Sequence, residues 1–145
     1  EYKGVTSGGA LVYDDYAHHP SAVEATLRMA REAFPGKRLV VAFHPHLYSR
    51  TRDFMDGFAF ALSHADEVLL APIYAAREEP VSGVTSEVLA GKVTALGTSA
   101  RAFDSLDSLE RHLAEEGVLN AGDLLITMGA GDIFTVADAL VLNAS

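Results

Sequence analysis

The sequence predicts a single α/β domain, doubly wound, with a mostly parallel Rossmann-like sheet and helices on both faces. Three observations predict it. The stretches Leu39 to Phe43, Val68 to Ala71 and Asp123 to Met128 are largely unbroken in apolar character, the composition of strands covered on both faces. Elsewhere apolar residues recur at helical spacing, as in Val23, Leu27, Ala30 and Phe34. Strand and helix patterns alternate about five times, which is how a parallel sheet with helical crossovers is written.

Taken in order, Gly4 to Gly9 reads as a turn region and Ala10 to Tyr13 as the first strand. Pro20 opens a helix, at the position where its missing N–H costs nothing, and Pro35-Gly36 stops it. After the strand Leu39 to Phe43, a helix is expected from about Thr51 to Ala65, with Phe54, Phe58 and Leu62 on one face. The strand Val68 to Ala71 is closed by Pro72. Ile73 to Gly83 reads as a loop with Arg77-Glu78-Glu79-Pro80 exposed, and Ser82 to Lys92 as a short helix. Val93 to Phe103 has room for one short strand. Asp107, with Glu110 three residues on, fits a helix N-cap, and Gly117 fits its stop. Asp123 to Met128 leaves through the turn Gly129-Ala130-Gly131 into a last helix with Ile133, Val136, Ala137 and Leu140 inward.

The chain's 145 residues suit one domain, and 49% hydrophobic with 21% charged residues describes a folded protein. With no cysteine, disulfides, thiolate metal sites and cysteine nucleophiles are excluded. A net charge of −9 argues against nucleic acid or an anionic membrane as partner, while leaving room for a nucleotide at a local site. No apolar run has the length of a membrane span. The start, Glu1-Tyr2-Lys3-Gly4, lacks both a Met and the order of a signal peptide, and reads as the edge of a piece cut from a longer protein.

Three nucleotide motifs fail. Gly36-Lys37 and Gly91-Lys92 lack the glycine five positions earlier that a phosphate-binding loop needs, because Arg31 and Ser86 stand there. Gly129-Ala130-Gly131 starts like a dinucleotide fingerprint, but Phe134 replaces its third glycine. A tight helix-to-strand turn and a ligand-facing backbone amide site both remain open for it.

Two clusters stand out. Asp14-Asp15-Tyr16-Ala17-His18-His19-Pro20 sits where a strand gives way to a helix, the edge at which open α/β sheets bind ligands. His44-Pro45-His46-Leu47-Tyr48-Ser49-Arg50-Thr51-Arg52-Asp53 follows the next strand. A guanidinium fork suits a carboxylate or phosphate. Arginines opening a helix oppose its dipole, so two there suggest a ligand, with Arg50 the better placed. The imidazoles permit a rival, a small metal-dependent hydrolase using His18, His44, His46 and Asp15.

These residues also carry a resemblance. Asp14 to Leu27 resembles the opening motif of the C-terminal domain of the Mur ligases. Phe43 to Asp53, Pro72 to Glu78 and Met128 to Ile133 resemble later motifs of the branch that joins L-alanine to UDP-N-acetylmuramate. His-His-Pro alone is shared with the branch that recycles murein peptides. The resemblance implies a cytoplasmic, ATP- and Mg²⁺-dependent ligase of three domains. An N-terminal domain would hold the UDP-sugar, a central one ATP, and residues 1–145 would form the amino-acid-binding domain. By position it implies that Asp15 contacts the nucleotide and that His18 and Arg50 hold the alanine carboxylate. Tyr16, His46 and the turn Gly129-Ala130-Gly131 would line the cleft, with His19 and Arg52 beside it. No complete catalytic set and no metal site is implied within this domain, and the isolated chain is expected to be inactive. Leu47, His44 and Asp132 depart from the pattern, where Arg, Gln and Asn are common.

Overall fold

The computed structural model describes residues 1–142. The order is β1 (Tyr2–Val5), β2 (Leu11–Asp15), α1 (Pro20–Ala33), β3 (Arg38–Phe43), α2 (Tyr48–Asp53), α3 (Met55–Leu62), β4 (Glu67–Leu70), α4 (Ser86–Ala95), β5 (Ser99–Ala102), α5 (Leu106–Ala114), β6 (Asp123–Met128) and α6 (Phe134–Leu142). The six strands lie in one sheet in the order β1-β2-β6-β3-β4-β5. Only β1 runs antiparallel to its neighbour. The doubly wound expectation therefore holds, with one antiparallel edge added.

Period-two alternation divides the central strands between two cores. Leu39, Val41 and Phe43 pack with Leu27 of α1, Phe58 and Leu62 of α3, and Leu89 and Val93 of α4. Val40 and Ala42 face the other way, onto Leu109 and Leu113 of α5 and Val136, Ala137 and Leu140 of α6. Each large aliphatic side chain so buried contributes about 1.5–3 kcal/mol, so α1, α3, α4, α5 and α6 are held by apolar stripes. At the amino ends of the strands, Arg38 ties β3 to both neighbours. Its guanidinium donates to both carboxylate oxygens of Asp123, at 3.1 and 2.9 Å, and to Glu67 at 2.7 Å.

Several boundaries differ from the sequence expectation. Tyr2–Val5 is a strand missed because Gly4, at φ +137°, breaks the alternation at an irregular register. The helix expected over 51–65 is two helices. Phe54, at φ −120° and ψ 22°, separates α2 from α3 and is 42% exposed rather than inward. No Gly or Pro marks that break. The cap of α5 is Ser105, not Asp107: Ser105 Oγ accepts from Ser108 N–H at 3.0 Å, and Ser108 Oγ accepts from Ser105 N–H at 3.2 Å. Starting there puts Leu106 against the second core. The region 93–103 divides into the end of α4 and the edge strand β5.

The path of the chain sets up the site. From β2 it passes through α1 to β3, walks outward to β5, then returns through α5 to insert β6 between β2 and β3. Asp15 of β2 and Phe43 of β3 both pair with Met128 of β6. The two sequence clusters and the glycine turn thus leave three adjacent strands at the same level, where the winding reverses.

Candidate functional site

At the end of β2 the two carboxylates part company. Asp14 accepts a 2.6 Å hydrogen bond from Thr127 Oγ1 within the sheet, and burial raises its affinity for a proton. Asp15 turns to the other side. Its Oδ1 accepts from Ala17 N–H at 2.8 Å and its Oδ2 from Thr26 Oγ1 at 3.2 Å. Each oxygen can accept twice, so Asp15 is oriented without being saturated. The two bonds join the strand end to α1 and shape the intervening turn, which borders a shallow hollow of about 310 Å³.

Within that turn His18 Nδ1–H donates to the Tyr16 carbonyl at 2.9 Å, leaving Nε2 as its remaining polar atom. The Tyr16 ring stands edge-on to His18 at 5.2 Å and is 69% exposed. Across the gap the His18 and His46 rings are 6.0 Å apart, again edge-on. His19 faces away. Its ring lies 4.9 Å from that of Phe54, and its Nδ1 bonds Ser21.

The second cluster departs from β3 through Pro45 into α2. Arg50 Nη1 donates to His46 Nδ1 at 3.3 Å. Because a guanidinium can only donate, His46 Nδ1 is an acceptor, and the neutral ring carries its proton on Nε2. Burial, then Arg50, then His18 lower the proton affinity of His46, which keeps it neutral over a wider pH range. His46 also stacks on Tyr74, with ring centroids 5.3 Å apart and planes 19° apart. Arg50 and His46 thus present donors side by side. The helix begins at Tyr48, so both arginines fall in its last turn rather than at its start. The dipole there favours cations, which removes one reason for assigning them a ligand. Arg52 is exposed and pairs with Asp53 at 3.0 Å, apart from Arg50 and His46.

The glycine turn closes the third side. Gly129, at φ +142°, donates its N–H to Asp15 O at 3.1 Å. A Cβ on Gly129 would lie 2.7 Å from the His44 carbonyl oxygen, and one on Gly131 would lie 2.7 Å from His44 Nδ1. Here glycine is a packing requirement: the buried Gly129 and the half-buried Gly131 lie on the buried His44. The Nδ1 of His44 is the one fully buried side-chain nitrogen or oxygen without a hydrogen-bond partner among the described residues. Burial lowers its proton affinity.

Structure therefore brings Asp15, Tyr16, His18, His46, Arg50 and the turn 129–131 to one edge, with His19 and Arg52 at its margin. It also reveals what sequence reasoning missed. Glu78, expected to be exposed, is half-buried and accepts from both the N–H (3.0 Å) and the hydroxyl of Ser49. The signal was available in principle, since the loop after β4 must leave beside the end of β3. Among the described residues no group of three or more His, Cys, Asp or Glu is arranged to hold a metal ion. His44 is enclosed under its glycine turn, so one of the four residues of the hydrolase alternative is withdrawn from the surface. A larger hollow, about 720 Å³, lies at the opposite end of the sheet and is lined by no basic or imidazole side chain. No helix among the described residues is long and apolar enough to cross a membrane.

Known proteins resemble this chain in sequence and in fold. The UDP-N-acetylmuramate–L-alanine ligase of Lachnospira eligens is 48% identical over 141 residues, covering 97% of this chain and 30% of that protein. The ligase of the same name from Mycolicibacterium smegmatis is 48% identical over 130 residues, covering 88% of this chain and 26% of that protein. The chain thus spans under a third of the length of these relatives. Among solved structures, the UDP-N-acetylmuramate–alanine ligase of Thermotoga maritima superposes with a TM-score of 0.71 at 28% identity, over 96% of this chain and 27% of the other. A murein peptide ligase from Psychrobacter arcticus gives 0.76 at 26% identity, over 99% and 29%. The family described as Mur ligase, glutamate ligase domain, matches residues 1–131. The chain belongs to that family.

Proposed function

We propose that this chain is the amino-acid-binding domain of an ATP-dependent ligase that adds L-alanine to UDP-N-acetylmuramate in peptidoglycan precursor synthesis. The names of relatives at 48% identity support the reaction, and the observation that carries the role is the Arg50–His46 pair. A guanidinium beside an imidazole held as an Nε2–H donor suits a carboxylate, and charge-assisted bonds of that kind are the strong ones. His18 and Tyr16 border the same gap and complete the amino-acid end. The murein peptide ligase reading rests on fold likeness at lower identity, and we set it second.

In this reaction ATP phosphorylates the muramate carboxylate. The alanine amine attacks the resulting acyl phosphate, and an amide and inorganic phosphate leave. ATP and Mg²⁺ would be held mainly by a central domain and the UDP-sugar by an N-terminal one, both outside these 145 residues, in the cytoplasm where ATP is available. The fit of this chain to the nucleotide is partial: Asp15 retains acceptor capacity for ribose hydroxyls, while no loop here cradles phosphates. What the domain supplies is position, which in a bimolecular amide synthesis is a large share of the rate. The chain alone is expected to turn over no ATP. In the full-length ligase, Arg50→Ala is expected to raise KM for L-alanine about 100-fold, as loss of a charge-assisted pair does, while KM for ATP changes little. ATP turnover by the purified chain, or equal effects on both constants, would count against the proposal.

A further inference from the structure

The backbone that carries His46 and Arg50 begins in an unfavourable conformation. Leu47, which precedes α2, has φ +70° and ψ 136°, where a side chain is disfavoured. No side chain of residue 47 caps the helix. Such a conformation persists only when its surroundings fix it. Here the fixing comes from the loop after β4. Tyr74 N–H donates to Pro45 O and Leu47 N–H to Tyr74 O, both at 2.8 Å, a short parallel bridge that also sets the His46–Tyr74 stack. From the other side, the buried Thr51 returns its hydroxyl to Leu47 O at 2.8 Å. The loop then turns at Ala76, in the left-handed region at φ +54°. That turn brings Glu78 back to the start of α2, where one carboxylate oxygen takes the Ser49 N–H and the other its hydroxyl.

We propose that Glu78 is a positioning residue for the amino-acid end of the cleft: by capping α2 with both carboxylate oxygens it fixes the backbone from which His46 and Arg50 project. The inference rests on the assignment of Arg50 to the substrate carboxylate and extends it to a residue that touches no substrate. Two independently strained residues, Leu47 and Ala76, are held so that this contact forms. An oriented carboxylate at the unsatisfied N–H groups of a helix start is also its favoured partner. The same bonds lower the proton affinity of Glu78, so the clamp remains charged well into the acid range.

The test uses the full-length ligase. Glu78→Ala is expected to raise KM for L-alanine about tenfold, less than outright loss of Arg50 because the group is displaced and not removed, with KM for ATP and kcat at saturation nearly unchanged and a small fall in melting temperature from the two lost hydrogen bonds. Combined with Arg50→Ala, it is expected to add nothing beyond Arg50→Ala alone, because it acts through that residue. Glu78→Gln, which still accepts from the Ser49 N–H, should recover most of the affinity. If Arg50→Ala raises KM for alanine and Glu78→Ala does not, the positioning role is wrong and the site assignment stands. If neither changes it, the assignment of Arg50 itself has failed. Equal losses toward alanine and ATP, or additive losses in the double variant, also overturn the role. Should Glu78→Ala not fold, Ser49→Ala deletes the hydroxyl bond alone and carries the test at about threefold; an unchanged KM there overturns it.

Discussion

Adding one methyl group at Gly131 and another at Gly129 should separate two kinds of steric requirement at the site. In Gly131→Ala the new Cβ meets His44 Nδ1 at 2.7 Å and Cε1 at 2.8 Å, with no positive φ to add backbone strain. The imidazole is buried and must move, and overpacking of this kind costs about 1–3 kcal/mol. In Gly129→Ala the Cβ meets the His44 carbonyl oxygen at 2.7 Å while the residue sits at φ +142°. The left-handed penalty adds about 1–2 kcal/mol, for a sum of about 2–5 kcal/mol. Urea unfolding followed by circular dichroism measures both; each kcal/mol should lower the melting temperature by about 3–5 °C in a chain of this size. His44→Ala supplies the decisive comparison. Paired with Gly131→Ala it removes the obstructing ring and should recover about 1–2 kcal/mol beyond additivity. Paired with Gly129→Ala it leaves the carbonyl in place and should recover almost nothing. Rescue of both variants, or of neither, would refute the packing account of the turn.

Other outcomes follow from charge. Burial lowers the proton affinity of His44 and His46 below the ordinary value of 6.5. Beneath that value the unfolded chain binds protons that the folded chain resists, so stability falls as pH drops from 6.5 toward the lowered folded values. Asp66 and Asp123 act in the same direction at lower pH, since hydrogen bonds from Arg31 and Arg38 hold them below 3.8 and their contribution is lost on acidification. Asp14 has the opposite sign: burial raises its value, and its contribution fades as pH rises through it. The urea midpoint is therefore expected to fall between about pH 7 and pH 5.5, and His44→Gln should remove part of that fall; a flat or rising midpoint would contradict the burial of these rings. At the other end of the sheet, Arg38→Met leaves the nearly buried Asp123 carboxylate without its bidentate partner. It is expected to cost about 1–3 kcal/mol, checked by the same unfolding assay; an unchanged midpoint would show the network to be solvated.

The fold class was legible because β3, β4 and β6 are apolar on both faces and the crossover helices keep a clean stripe. What failed to show was whatever depends on tertiary partners. β1 is a strand only because β2 offers it an edge, and its own pattern is broken by Gly4. The division of the helix at Phe54 has no local signal. Asp107 and Ser105 are both acceptable caps by composition, and packing of Leu106 decides between them. At the site, Asp15, His18, His46 and Arg50 were found because their side chains are chemically conspicuous at strand ends. Glu78 was passed over as one more exposed charge in a polar loop, since its contact with Ser49 spans 29 residues of sequence and rests on two residues at positive φ. The separation of Asp14 from Asp15 is simple strand alternation, and it was there to be read.

The proposed role of Arg50 is to meet the carboxylate of the incoming amino acid. It is tested most directly by comparing L-alanine with L-alaninamide, which lacks that charge, in the full-length ligase with and without Arg50→Ala. With Arg50 in place, kcat/KM should favour L-alanine by about 100-fold or more. In Arg50→Ala the two substrates should become nearly equal, because the group that distinguishes them is gone. Equal losses toward both substrates, with the preference for L-alanine preserved, would contradict the account.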